Sequence, residues 1–159
     1  DNAPRDKQKE AFAAQLDIAE RTSSPVQIHT RDAEKDTVEI LKEYKGKVGG
    51  TIHCFTGSKW LAEQCLDLGF NISFSGIVTF KNAGDLRDVV DFVPTDRMHV
   101  ETDAPFLTPV PHRGKKNAPK YLVHTAELLA SLKGMELEPF QKTMKENALK
   151  AFPKLREAQ

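Results

Sequence analysis

No stretch of this sequence is apolar for long enough to cross a bilayer: roughly 20 successive apolar residues are needed, and charged residues recur before any run reaches that length. No basic-then-apolar leader with a small-residue cleavage site stands at the amino terminus, so a soluble, cytoplasmic protein is expected. Cysteine is scarce. Cys54 and Cys65 cannot build a disulfide framework, and both are expected to be free thiols in a reducing compartment. Net charge is absent too, because 23 basic residues balance 23 acidic ones. Any affinity for nucleic acid must therefore come from a local patch and not from the field of the whole chain. Low-complexity tracts and flexible linkers are missing, and 159 residues suffice for one buried core, so residues 1–159 read as one domain.

What is present is a regular alternation of helix and strand signals. Phe12, Leu16 and Ala19 recur at helical spacing between Pro4 and about Arg21, and Ser23, Ser24 and Pro25 end that segment. A strand is expected over Val26 to Thr30, then Asp32 as the N-cap of a helix with Val38, Leu41 and Tyr44, closed by Gly46. The second strand runs from about Val48 to Cys54. Ser58 caps a helix with Leu61, Cys65 and Leu68, which Gly69 terminates. Phe70 to Ser75 is the third strand. A loop from Gly76 to Gly84 leads to a helix from Asp85 through Leu86, Val89 and Val93, stopped by Pro94, and Arg97 to Thr102 is the fourth strand. A loop with Pro105, Pro109, Pro111 and Pro119 precedes two final helices, one through Leu122, Leu129 and Leu132 and one through Phe140, Met144 and Ala148.

Strands joined by helices imply a parallel sheet, because parallel neighbours need a crossover. The strand ends near His29, His53, Ser75 and Asp103 are spaced like the units of an α/β barrel of the (β/α) TIM type, about 30 residues each. Four such strands with flanking helices make about half a barrel. Along them the side chains divide by parity: Val26, Ile28, Phe70, Ile72, Phe74, Met98 and Val100 on one face, and Gln27, His29, Arg31, Asn71, Ser73, Ser75, Glu101 and Asp103 on the other. One face is apolar and the other polar, which predicts helices on one side and a polar, solvated interior on the other.

His29, His53 and Asp103 each stand at or just past the carboxy-terminal end of a different strand. In a parallel barrel those ends share one rim, so two imidazoles and a carboxylate converge there. That donor set suits a divalent ion such as Zn²⁺, or Mn²⁺ or Mg²⁺ with more water. Such an ion lowers the pKa of water and polarises the group under attack. Each residue alone is more often an ordinary hydrogen-bonded strand end; the joint placement is what carries the expectation. Cys54, next to His53, points the other way by parity and is expected to pack in the core. His99 and His124 read as structural residues.

The segments Ile28-His29-Thr30-Arg31-Asp32-Ala33, Ile52-His53-Cys54-Phe55-Thr56-Gly57, Phe74-Ser75-Gly76 and Glu101-Thr102-Asp103-Ala104-Pro105 resemble the successive strand ends of the TatD family of metal-dependent deoxyribonucleases. Val110-Pro111-His112-Arg113-Gly114-Lys115-Lys116-Asn117 and Asn147-Ala148 resemble the same family, and the similarity covers almost the whole chain. The resemblance implies that His29 and His53 bind a divalent ion, that Asp103 is a ligand able to take the proton of the attacking water, and that the reaction is hydrolysis of a phosphodiester, typically in DNA.

A basic loop suits that chemistry. Arg113 offers a planar fork for phosphate oxygens, Lys115 and Lys116 add point charges, and Gly114 lets the backbone approach closely. A solvated basic loop with no ligand is the alternative. Arg31 is expected either to contact substrate or to pair with Glu101, and His112 to donate to phosphate or to be an ordinary loop residue. The family's His-x-His strand and its strand-end glutamate, which precede the matched region, do not occur here. Since the sequence opens at Asp1 and not at a methionine, it reads as the carboxy-terminal half of such a barrel. Three readings are open: a fragment, a chain that closes its barrel with an amino-terminal half or a second copy, or a catalytically incomplete half-barrel that binds nucleic acid or serves assembly. A doubly wound α/β domain with a small-molecule site ranks below these, because no glycine-rich phosphate fingerprint follows a strand.

Overall fold

The computed structural model describes residues 3–156; Asp1 and the last three positions of the expected 1–159 domain lie outside them. The chain runs α1 (Arg5–Thr22), β1 (Val26–Ile28), α2 (Glu34–Glu43), β2 (Gly50–Ile52), α3 (Lys59–Asp67), β3 (Asn71–Phe74), α4 (Gly84–Phe92), β4 (Met98–Val100), α5 (Leu122–Leu132) and α6 (Leu137–Ala151). Four parallel strands form one sheet in the order β1-β2-β3-β4. Sequential order with a helix between neighbours is the βα repeat of a barrel, here four strands wide.

Each element follows from its local chemistry. Ser58 caps α3 by accepting from Leu61 N at 3.2 Å, as expected. Ser23 ends α1 in the left-handed conformation. Asp32 does not cap α2: it takes a φ of 53° and leaves the N-cap to Ala33. Glu34 instead reaches across to Ser58, whose backbone N and Oγ both lie within 2.7 Å of its carboxylate. The strands are shorter than expected because the chain turns away directly after Ile28 and Ile52.

The core lies between the sheet and its helices. Leu41, Leu61, Ile52, Ile72, Phe74, Met98, Leu129 and Phe140 are fully buried in one cluster, each side chain contributing about 1.5–3 kcal/mol by leaving water. The polar strand face is not solvated as expected. Thr51, Ser73, Ser75 and His99 are buried, because these short side chains find partners within the sheet. Thr51 bonds Asn71 O, Ser75 Oγ meets Cys54 Sγ at 3.1 Å, and His99 Nε2 meets the Asn71 amide while its ring faces Phe152. Asn147 pins α6 to the start of β4 by donating to Thr95 O and Met98 O, both at 2.8 Å.

Two glycines allow close backbone approach. A Cβ on Gly50, whose φ is 152°, would meet Val26 O at 1.9 Å where β1 and β2 join. One on Gly76 would meet Leu107 O at 2.1 Å, so the segment after β3 can abut the proline-rich loop only without a side chain.

Candidate metal centre

Backbone hydrogen bonds carry the strand pairing one step past the assigned strands. His53 N donates to Ile28 O at 2.7 Å, and Glu101 N donates to Phe74 O at 3.0 Å. These bonds place His53 and Glu101 on the same rim of the sheet, at the carboxy-terminal ends of β2 and β4. The chain then turns sharply at both strand ends. Cys54 has a φ of 45° and Asp103 a φ of 55°, a region that L-residues other than Asn and Asp seldom occupy and that clusters at functional sites.

His53 is held from both sides. Its Nδ1 lies 2.5 Å from Glu101 Oε2, and its Nε2 faces Asp103 Oδ1 at 3.3 Å. The other oxygen of Glu101 accepts from Cys54 N. Glu101 thus fixes both the imidazole and the turn that follows it. A carboxylate on one ring nitrogen sets the tautomer and leaves the other nitrogen free to ligate. Two donors bound tetrahedrally to one ion at 2.0–2.2 Å stand about 3.3–3.6 Å apart, so the 3.3 Å between Nε2 and Asp103 fits a shared cation. These three side chains are only 20–29% exposed.

His29 follows β1 directly, its ring centroid 6.0 Å from that of His53 and tilted by 49°. It is exposed, since among the described residues no strand pairs with the outer edge of β1. Of the three expected ligands, His53 and Asp103 are in contact and His29 stands beside them. Among the described residues, no three or more His, Cys, Asp or Glu side chains are gathered closely enough to hold an ion by themselves.

Glu101 is the residue that sequence reasoning did not assign to the site; it had been considered only as a partner for Arg31. Its position two residues before Asp103 was the available signal. Arg31 is exposed at the rim, and no ion pair joins it to Glu101 among the described residues. Burial pushes the Cys54 thiol up, more than Ser75 lowers it, with Asp103 and Glu101 adding to the rise. The Cys65 thiol is pushed up to about 12 by burial and then by Glu34. Both cysteines are free and buried, which makes them inert packing residues.

The basic loop crosses the same end of the sheet. Arg113 lies flat over the Phe80 ring, 3.6 Å from its centroid, and His112 stacks on Tyr121 at 4.4 Å with His124 5.0 Å away. Burial, then His124 and the lysines Lys115 and Lys120, lower the pKa of His112. Arg113, Lys115 and Lys116 are exposed. Asn117 fastens this loop to the Asp103 turn: its Nδ2 donates to Thr102 O at 2.7 Å and Phe106 O at 2.6 Å, and its backbone N donates to Pro105 O.

The profile of the family described as TatD related DNase matches residues 1–153. The chain belongs to the TatD-related DNase family. It is 48% identical over 153 residues to "Uncharacterized metal-dependent hydrolase YabD" of Bacillus subtilis, covering 96% of this chain and 60% of that protein. It is 48% identical over 147 residues to "Uncharacterized metal-dependent hydrolase YcfH" of Escherichia coli K12, covering 92% of this chain and 56% of that one. The crystal structure of YJJV, a TatD homologue from Escherichia coli, superposes with a TM-score of 0.87 at 27% identity over 93% of this chain and 57% of its own. A TatD-family hydrolase of Entamoeba histolytica, 21% identical, shares the fold with a TM-score of 0.82. The chain therefore spans a little over half the length of these TatD-family relatives.

Proposed function

We propose that this chain is the carboxy-terminal half of a metal-dependent hydrolase barrel that cleaves phosphodiester bonds in DNA, with His29, His53 and Asp103 contributing to the metal site. The observation that carries the reading is His53 clamped between Glu101 and Asp103 at the strand-end rim. The family membership and the relatives named as metal-dependent hydrolases support it.

A divalent ion, Zn²⁺, Mn²⁺ or Mg²⁺, supplies Lewis acidity there, acidifying water and drawing charge from the phosphoryl oxygens. The chain's own groups do the rest. Glu101 orients the His53 ring so that Nε2 points at the ion site. Asp103 Oδ1 faces the same point and accepts the proton of the attacking water. Arg31, Arg113, Lys115 and His112 surround the rim and hold the phosphate backbone, which sets affinity and register without reading sequence. The remaining ligands come from an amino-terminal half or from a second copy of the chain. Two buried free thiols suit a reducing, cytoplasmic setting, and no helix among the described residues is long and apolar enough to cross a membrane.

The test is Asp103→Ala assayed for metal-dependent cleavage of labelled DNA. Activity is expected to fall by at least about a hundredfold, the usual scale for losing a general base, with an unchanged circular dichroism spectrum. Undiminished cleavage would remove Asp103 from the mechanism. A second reading, a catalytically incomplete nucleic-acid-binding or assembly module, is favoured by the lack of a gathered set of three ligands among the described residues. It predicts DNA binding that falls steeply with salt and is indifferent to chelator.

A further inference from the structure

The turn that carries Asp103 also carries Phe106, which at 68% exposure is the most exposed large apolar side chain of the described residues. Its backbone is firmly held. Phe106 N donates to Asp103 O at 2.9 Å, closing a four-residue turn, and Phe106 O accepts from the buried Asn117 amide. A turn closed in this way keeps its end Cα atoms within about 7 Å. The ring is thus presented to solvent by a rigid support directly beside the candidate metal centre. The other aromatic rings on this side are covered: Phe80 lies under Arg113, and Tyr121 is stacked against His112. Phe106 has no ring or cation partner among the described residues.

We propose that Phe106 is a stacking platform for an unpaired nucleobase next to the phosphate held at the metal centre, and so selects single-stranded over duplex DNA. The inference rests on the phosphodiester reading and goes beyond it. Charge complementarity favours this occupant over an apolar protein surface. The loop fastened to the Phe106 turn by Asn117 exposes Arg113, Lys115 and Lys116, which suit a phosphate backbone. A flat aromatic beside a cationic track is the usual means of gripping single strands, because every base has a π-face and stacking tolerates any sequence. Bases inside a duplex have both faces occupied and cannot use the ring.

The experiment measures binding of the full chain, in chelator to prevent cleavage, to a single-stranded oligonucleotide carrying the fluorescent base 2-aminopurine. An abasic oligonucleotide and a duplex of the same length are measured alongside. Phe106→Ala is expected to weaken binding of the single strand on the order of tenfold and to abolish the quenching of 2-aminopurine. Phe106→Trp is expected to restore both, while the abasic strand and the duplex bind wild type and Phe106→Ala equally. Equal loss on all three DNAs, or no loss on any, overturns the stacking role. Cleavage of the single strand by wild type with added Mn²⁺ separates the two failures: cleavage with no Phe106 effect sinks this inference alone, whereas neither binding nor cleavage sinks the phosphodiester reading with it.

Discussion

Replacing Glu101 tests the construction of the site more sharply than replacing a ligand, because Glu101 touches His53 and leaves the ion alone. Glu101→Gln retains the shape and one acceptor oxygen but removes the charge and turns an NH₂ toward one of two donors, His53 Nδ1 or Cys54 N. Hydrogen bonds to a charged acceptor contribute about 1.5–3 kcal/mol each. With the pair about a quarter exposed, solvent screening puts the expected stability loss at the lower end of that range. Metal affinity should fall by about 10–100-fold, the usual consequence of losing the carboxylate behind a ligating histidine, which is about 1.4–2.7 kcal/mol. Glu101→Ala, which leaves Cys54 N without its partner, should lose more stability than Glu101→Gln. Calorimetric titration with Zn²⁺ near neutral pH gives the affinity, and urea unfolding gives the stability. If Glu101→Gln binds Zn²⁺ as wild type does while remaining folded, the histidine-orienting role is wrong and Glu101 merely shapes the turn.

Two further outcomes follow from the packing. Gly76→Ala should cost about 1–3 kcal/mol by overpacking, since its methyl would lie 2.1 Å from Leu107 O; urea unfolding checks it, and a neutral result would mean that the two loops separate easily. His99 is held below its ordinary value of 6.5 by burial, partly opposed by Glu101. As pH falls below about 6.5 the unfolded chain therefore takes up the proton first. Stability should be independent of His99 above that pH and decline below it until the folded-state pKa is passed. His99→Gln should flatten that part of the stability profile, and an unaltered slope would exclude His99 as its source.

The alternation of helix and strand, the parallel order and the rim positions of His53 and Asp103 were legible because each rests on local pattern. Helical spacing, the Ser58 cap and strand parity depend on neighbours a few residues apart. Parity also assigned Cys54 to the core correctly. It failed for the solvation of the polar face, because exposure depends on what packs opposite: Ser75 meets Cys54, and Asn71 and Phe152 enclose His99. Asp32 likewise has the composition of an N-cap, but the turn out of β1 gives it a left-handed backbone that takes it out of that role.

The deeper division lies between residue type and residue pairing. The linear order of residues by itself determined which side chains with ligand chemistry reach the strand ends, since a parallel sheet sends every such end to one edge. Only the tertiary structure decided that Glu101 grips His53 from 48 positions away, that Asn117 ties the basic loop to the Asp103 turn, and that Phe106 is left uncovered. Those outcomes depend on contacts between segments remote in sequence, and periodicity within a segment carries no record of them.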